Sequence, residues 1–158
     1  MRDIIFNTLN NDGLVFQIIR DQPDQVVLSL GIGLENGRCD AYVDMRIQDN
    51  QVIVLTVCPT IIPENKRERA SEFITRANAN LIIGCFDLNF NSGQIRYKSN
   101  YIFDETSEKP EEIFMKHLYT TFNMMDKYLP GIMSVVFGNS LPNDALSQIE
   151  NFINPQLN

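Results

Sequence analysis

Two hydrophobic periods alternate along the chain, and the places where one gives way to the other divide it into elements. Ile4, Ile5 and Leu9 form a helical stripe over residues 3–11, ended by Asn11-Asp12-Gly13, which tolerate left-handed geometry. The period then drops to two. Leu14, Phe16 and Ile18 share one face of a strand over 14–20, which Gln22-Pro23-Asp24 breaks. Val26, Leu28, Leu30, Ile32 and Leu34 share a face of the next, opposite Val27, Ser29, Gly31 and Gly33. The two glycines thin that opposite face, which predicts a bulge or a close neighbour there. After a turn at Glu35-Asn36-Gly37, Cys39, Ala41, Val43, Met45 and Ile47 point inward, and Asp40, Tyr42, Asp44, Arg46 and Gln48 outward. Asp49-Asn50 turns the chain into a strand over 51–61. Val52-Ile53-Val54-Leu55 makes that strand apolar on both faces, so it is predicted to be central or covered on both sides, with a partner as one such cover.

The period returns to 3.6 after Pro63, a residue suited to the first turn of a helix. Ala70, Phe73, Ile74, Ala77 and Leu81 fall on one helical face. A hairpin follows over 85–103. Phe86, Leu88 and Phe90 share a face of its first strand; Ile95, Tyr97, Tyr101 and Phe103 share a face of its second, against Arg96, Lys98 and Asn100. Asn91-Ser92-Gly93 supplies the turn. Asp104 to Lys109 reads as a loop. Pro110 then opens a helix with the stripe Phe114, Leu118, Phe122, Met125 and Leu129. Pro130-Gly131 is expected to interrupt it and leave Ile132 to Phe137 as a separate short piece. Pro142 opens a last helix carrying Leu146, Ile149 and Ile153, stopped before Pro155. The order is α-β-β-β-β-α-β-β-α plus C-terminal helices. Strands joined by short turns predict an antiparallel sheet of about six strands in a single α+β domain spanning residues 1–158.

Composition narrows the function. The chain has 158 residues, 44% of them hydrophobic and 21% charged, ordinary for a folded domain. Its apolar runs are too short to span a bilayer, so no membrane insertion is expected, and its start does not read as a signal peptide. The formal net charge is −7. The one dense basic group, Lys66, Arg67 and Arg69, is interleaved with Glu64, Glu68 and Glu72. It reads as a solvated helix face with i,i+4 pairs, and no nucleic-acid partner is expected. Three cysteines, Cys39, Cys58 and Cys85, lack the spacing of a zinc site or a disulfide framework. They are read as free buried thiols in a reducing cytoplasm.

No constellation of residues specifies chemistry. His117, the single histidine, lies beside the apolar stripe of its helix and is read as a partly buried structural residue. Cys58 precedes Pro59 at a strand end and is taken as the most exposed thiol, without a catalytic signature around it. Asp40, Asp44 and Asp87 are placed on the polar sides of strands as solvated carboxylates. Gly31-x-Gly33 lacks the third glycine and the helix of a dinucleotide loop. Met124, Met125 and Met133 are read as core at helical spacing rather than as an adaptable binding surface.

The second half resembles the bacterial YbjN-domain family. The resemblance rests on Pro63-Glu64-Asn65, Arg76-Ala77-Asn78, Gly84-Cys85-Phe86-Asp87-Leu88, Ser92-Gly93-Gln94-Ile95-Arg96-Tyr97, Met125-Asp126-Lys127-Tyr128-Leu129-Pro130 and Phe137-Gly138-Asn139, in that order across about residues 63–146. Within the family, the chain is similar to the cyanobacterial branch. The resemblance implies a fold like that of type III secretion chaperones: a curved antiparallel sheet with helices on one face. It implies no enzyme activity, cofactor or catalytic residue, and the family carries only the label of a candidate sensory-transduction regulator. Lys109 and Leu141 depart from the family pattern at two helix starts, where Ser or Thr (before Pro110) and Ser (before Pro142) are usual, and put capping there in question.

These readings converge on a non-catalytic protein-binding module, a chaperone-like adaptor or regulator that needs no cofactor or metal. The alternatives are a small-ligand sensor with a pocket between helix and sheet, and an enzyme using Cys58 or His117. Val27, Ile53, Leu55 and Val57 are the expected partner or dimer surface, and a two-fold homodimer is weighed above a monomer. In the competing arrangement, Ile132–Phe137 and Leu146–Ile153 fold back and cover the second face within one chain.

Overall fold

The computed structural model describes residues 1–151; Ile153 and Pro155, placed above in and after the last helix, lie outside the described residues. The elements are α1 (Arg2–Asn11), β1 (Phe16–Asp21), β2 (Gln25–Gly33), β3 (Arg38–Arg46), β4 (Gln51–Ile61), a 3-10 turn at Glu64–Lys66, α2 (Arg67–Asn78), β5 (Cys85–Asn89), β6 (Gln94–Ile102), α3 (Pro110–Val136) and α4 (Pro142–Asn151). The six strands form one antiparallel, curved sheet in the order β1-β2-β3-β4-β6-β5. The fold is therefore α+β, as the sequence predicts.

Register sets which side chains meet the helices. Across β2, β3, β4 and β6, Leu28 pairs with Val43, Val43 with Val54, and Val54 with Ser99. Phe86 pairs with Tyr97 at the β5 edge. These residues and their same-face neighbours are buried. The first half of α3 (Phe114, Leu118, Phe122) joins α1 (Ile5, Leu9) over β2, β3 and β4. Its second half (Met125, Tyr128, Leu129, Ile132, Val135, Val136) joins α2 and α4 over β5, β6 and the ends of β3 and β4. Thr56 on β4 and Thr121 on α3, both fully buried, share a hydrogen bond of 2.9 Å, which keeps a polar pair satisfied within the interface.

Several expectations are corrected. The helix opened by Pro110 runs unbroken through Pro130 to Val136. Burial of Ile132, Val135 and Val136 holds the continuation in place, and the side chain of Asn36 bonds the carbonyl that Pro130 leaves unpaired. Helix α4 contributes Ala145 and Leu146 to the same core as α2 and α3, so the C-terminal elements cover the first face of the sheet and not the second. Phe90 lies beyond β5 and is 51% exposed, because the chain leaves the sheet at Asn89. Ile18 is also exposed, because β1 is an edge strand whose pairing shifts between Ile18 and Arg20. Gly31 and Gly33 mark no bulge, since β2 and β3 pair without a break. The close neighbour at Gly31 is the Arg38 guanidinium, 3.3 Å from where a Cβ would sit.

Gly93 is required in the β5–β6 turn. Its φ is +76°, and a Cβ there would lie 2.2 Å from the Ile62 carbonyl oxygen. At the two helix starts that depart from the family pattern, Lys109 gives α3 no side-chain cap and Leu141 is exposed.

Candidate functional site

The basic cluster on α2 is a clamp. Arg67 donates to the carbonyls of Ile62 (3.1 Å) and Phe90 (2.6 Å). Arg69 donates to the carbonyls of Asn139 (3.1 Å) and Ser140 (2.8 Å), and Lys66 to the Asn139 side chain (2.9 Å). These contacts replace the expected i,i+4 pairing of this group and spend its hydrogen bonds inside the protein. The i,i+4 pair that does form on this helix is Glu72–Arg76. Two of the blocks that carry the resemblance thus work as locks: Arg76-Ala77-Asn78 ties down β5 through Asn78, and Phe137-Gly138-Asn139 is gripped by Lys66 and Arg69.

His117 is half-buried, and the groups it meets are Ser99 and Tyr101. Its Nδ1 shares a 2.7 Å hydrogen bond with Ser99 Oγ, and its ring stacks on Tyr101 at 4.2 Å between centroids. Burial lowers its pKa from the ordinary histidine value. Ser99 is 1% exposed. Cys58, expected to be the most exposed thiol, is 2% exposed, because its strand position points into the core. Burial pushes the Cys39 thiol up to about 11 and the Cys58 thiol up as well, which keeps both protonated and unreactive at neutral pH. All three cysteines are free, and Cys85 is half-buried. Met125 is fully buried as read, Met124 is half-buried, and Met133 lies at the surface. Among the described residues, no group of three or more His, Cys, Asp or Glu is placed to hold a metal ion. No helix among them is long and apolar enough to cross a membrane.

The uncovered face of the sheet is different. Val27, Ile53, Leu55 and Val57 all point to it and are half-buried. Tyr42 stands directly opposite Leu55 on β3, so the apolar centre is one residue wider than the sequence reading allowed. Ile102 extends it at the end of β6 and is 68% exposed. Alternation placed Tyr42 outward; only the register showed that it lies against Leu55.

Two groups of charges on this face are tied together. Asp87 receives two hydrogen bonds from Arg96 (2.8 and 2.9 Å), with Lys98 at 3.8 Å. Asp44 accepts from Gln25 (2.8 Å) and from Arg46 (3.0 Å). The face carries Asp40, Asp44 and Asp87 against Arg20, Arg38, Arg46, Arg96 and Lys98, so it has a small positive excess in a chain of net charge −7. Paired charges lose less on desolvation than free ones, which suits a surface that another molecule covers. A depression of about 380 Å³, lined by residues that include Arg38, Asp40, Val57 and Ile61, lies at one end of the face.

A second groove, of about 780 Å³, lies between α3, α4 and the β2–β3 turn, with Glu35, Lys127, Ser134 and Ile149 among its walls. It is open to solvent and sits away from the helix–sheet interface where a sensor pocket was expected.

No family model matches the chain, and no curated protein matches it. Among solved structures, it is similar to YbjN of E. coli, described as a candidate transcription regulator. The two superpose with a TM-score of 0.56 at 12% sequence identity, over 88% of this chain and 91% of that one. The chain therefore has the fold of YbjN. At 88% of this chain, the match extends beyond residues 63–146, which carry the quoted motif blocks.

Proposed function

We propose that this protein is a non-catalytic binding module, an adaptor or regulator with a chaperone-like architecture, and that its protein partner docks on the uncovered sheet face. One observation carries this reading. Tyr42, Ile53, Leu55 and Val57 form an apolar centre, with Val27 beyond Asp44, on a face that no helix among the described residues covers, flanked by the ion pairs Asp44–Arg46 and Asp87–Arg96. Apolar patches rimmed by polar residues mark protein–protein interaction sites. The buried Cys39 and Cys58 thiols, and a half-buried histidine held by a buried serine, support a role without catalysis. The description of YbjN as a candidate regulator fits an adaptor or regulator role. Three free thiols fit a reducing, cytoplasmic setting.

The test is affinity capture with the full chain against its Leu55→Lys and Ile53→Lys variants, each first shown to melt like the wild type. The reading expects a partner that the wild type retains and both variants lose. A partner held equally well by all three proteins would move the site elsewhere.

A further inference from the structure

The two edges of the sheet are protected unequally. At β5, the backbone of Phe86 is closed off: the Asn78 side chain accepts from its N–H (2.8 Å) and donates to its carbonyl (3.0 Å). Arg67 holds the carbonyl of Phe90 just beyond the same strand. At the other edge, β1 pairs with β2 alone, and five of its six residues are exposed. Val15, Ile18 and Ile19 are 84%, 46% and 56% exposed along it. Unpaired edge strands with branched apolar residues are templates for strand addition, and folded proteins ordinarily blunt them with lysine, proline or cover. The shift in pairing at Ile19 and the charged end Arg20-Asp21 are the devices here, and they leave Ile18 and Ile19 in solvent, with Val15 just before the strand.

The sequence of β1 fits a copy of itself. In an antiparallel pairing that overlaps all six residues, Ile18 meets Ile19 of the second copy, and Ile19 meets its Ile18. Gln17 then meets Arg20, and Phe16 meets Asp21, so no like charges stand opposite one another. The strand is neutral in sum, and Asp21 is already held by two hydrogen bonds from Arg2 (2.7 and 2.8 Å). In a chain of net charge −7, a neutral edge lets an identical copy approach without repulsion.

We propose that β1 is the site of self-association, with a second copy of this chain adding its own β1 antiparallel across a two-fold axis between Ile18 and Ile19. The product is a continuous twelve-stranded sheet, and it brings two uncovered faces into one surface. This proposal stands apart from the partner site on that face, because the edge can pair whether or not the face is occupied. Six paired residues and a few branched side chains bury less than the roughly 1,000 Å² of a robust interface, so association is concentration-dependent.

The experiment is size exclusion with light scattering on the full chain from about 1 to about 100 µM, comparing the wild type with the Ile18→Lys, Ile19→Lys double variant. The wild type is expected to move from the mass of one chain toward two. The double variant stays at one chain throughout, with an unchanged melt, since both side chains are exposed. A second readout fixes the register: in a Cys85→Ser background, mixed Gln17→Cys and Arg20→Cys chains form a disulfide-linked pair in excess over either alone. A wild type that stays monomeric at every concentration overturns the proposal. So does a dimer that survives both lysines, or one that Leu55→Lys abolishes and the edge lysines do not.

Discussion

Asn36 supplies to Asp126 the hydrogen bond that Pro130 takes away. The carbonyl of Asp126 would bond the N–H of residue 130 in an ordinary helix, but proline has none. The Asn36 side-chain amide donates to that carbonyl at 3.2 Å, while the Asn36 backbone N–H donates to the Asp126 carboxylate at 2.7 Å. One residue in the β2–β3 turn thus sustains the middle of α3 and fixes its own turn against it. Asn36→Ala is expected to cost about 1 kcal/mol in urea melts. The cost should shrink in a Pro130→Ala background, where the helix bonds its own carbonyl. An equal cost in both backgrounds would mean that the amide is not acting through this carbonyl.

The Asn78 side chain stands in for a seventh strand at Phe86. Asn78→Ala removes both hydrogen bonds and is expected to cost about 1–3 kcal/mol. Amide exchange at Phe86 should speed up more than exchange at Tyr97, which belongs to the inner strand of the hairpin. Unchanged protection at Phe86 would show that α2 shields this edge without the amide.

Phe86 is 3% exposed and meets Tyr97 and Tyr128 edge-on, with ring centroids 4.8 and 5.4 Å away. Phe86→Ala is expected to cost about 3–5 kcal/mol, the range for a buried aromatic whose space cannot collapse. A loss under about 1 kcal/mol would mean that the ring is not part of this core.

His117 links stability to pH. Its folded pKa lies below its unfolded value because burial disfavours the imidazolium. The unfolded chain therefore binds the proton more readily, and stability is complete above the ordinary histidine pKa. It falls as pH drops through that value toward the folded one. Wild-type melts should lose stability between about pH 7 and pH 5 by more than His117→Gln melts do, and the difference between the two proteins should vanish as a pH-dependent quantity above about pH 7. His117→Gln and Cys58→Ser should also leave cellular function intact while folded. Loss of function in a variant of unchanged stability would reopen a catalytic or signalling role for that side chain.

Much of this architecture is legible in the sequence where one physical signal dominates. Strand β4 runs from Gln51 to Ile61, as the turn residues before it and the proline after it indicate, and β3 alternates without exception through Cys39, Ala41, Val43 and Met45. Legibility fails where a distant side chain overrides a local rule. Pro130 reads as a break because its rescue comes from Asn36, far away in sequence. Arg67 and Arg69 read as a solvated face because the carbonyls they grip belong to other segments. At β1, periodicity gives the strand but not its place at the edge, nor the shift at Ile19. The candidate site is half legible. Two-sided apolarity in β4 pointed to Ile53, Leu55 and Val57, but only the topology shows that α4 packs on the first face and leaves the second uncovered.

The central claim is that this uncovered face binds a protein partner. Its most direct measurement is affinity capture from the native cell with wild-type protein and with Leu55→Lys, both matched in melting temperature. The account predicts a specific partner on the wild type that Leu55→Lys loses by at least about tenfold, since a lysine at the centre of an apolar contact must be desolvated there. Equal recovery of that partner on both proteins would contradict it.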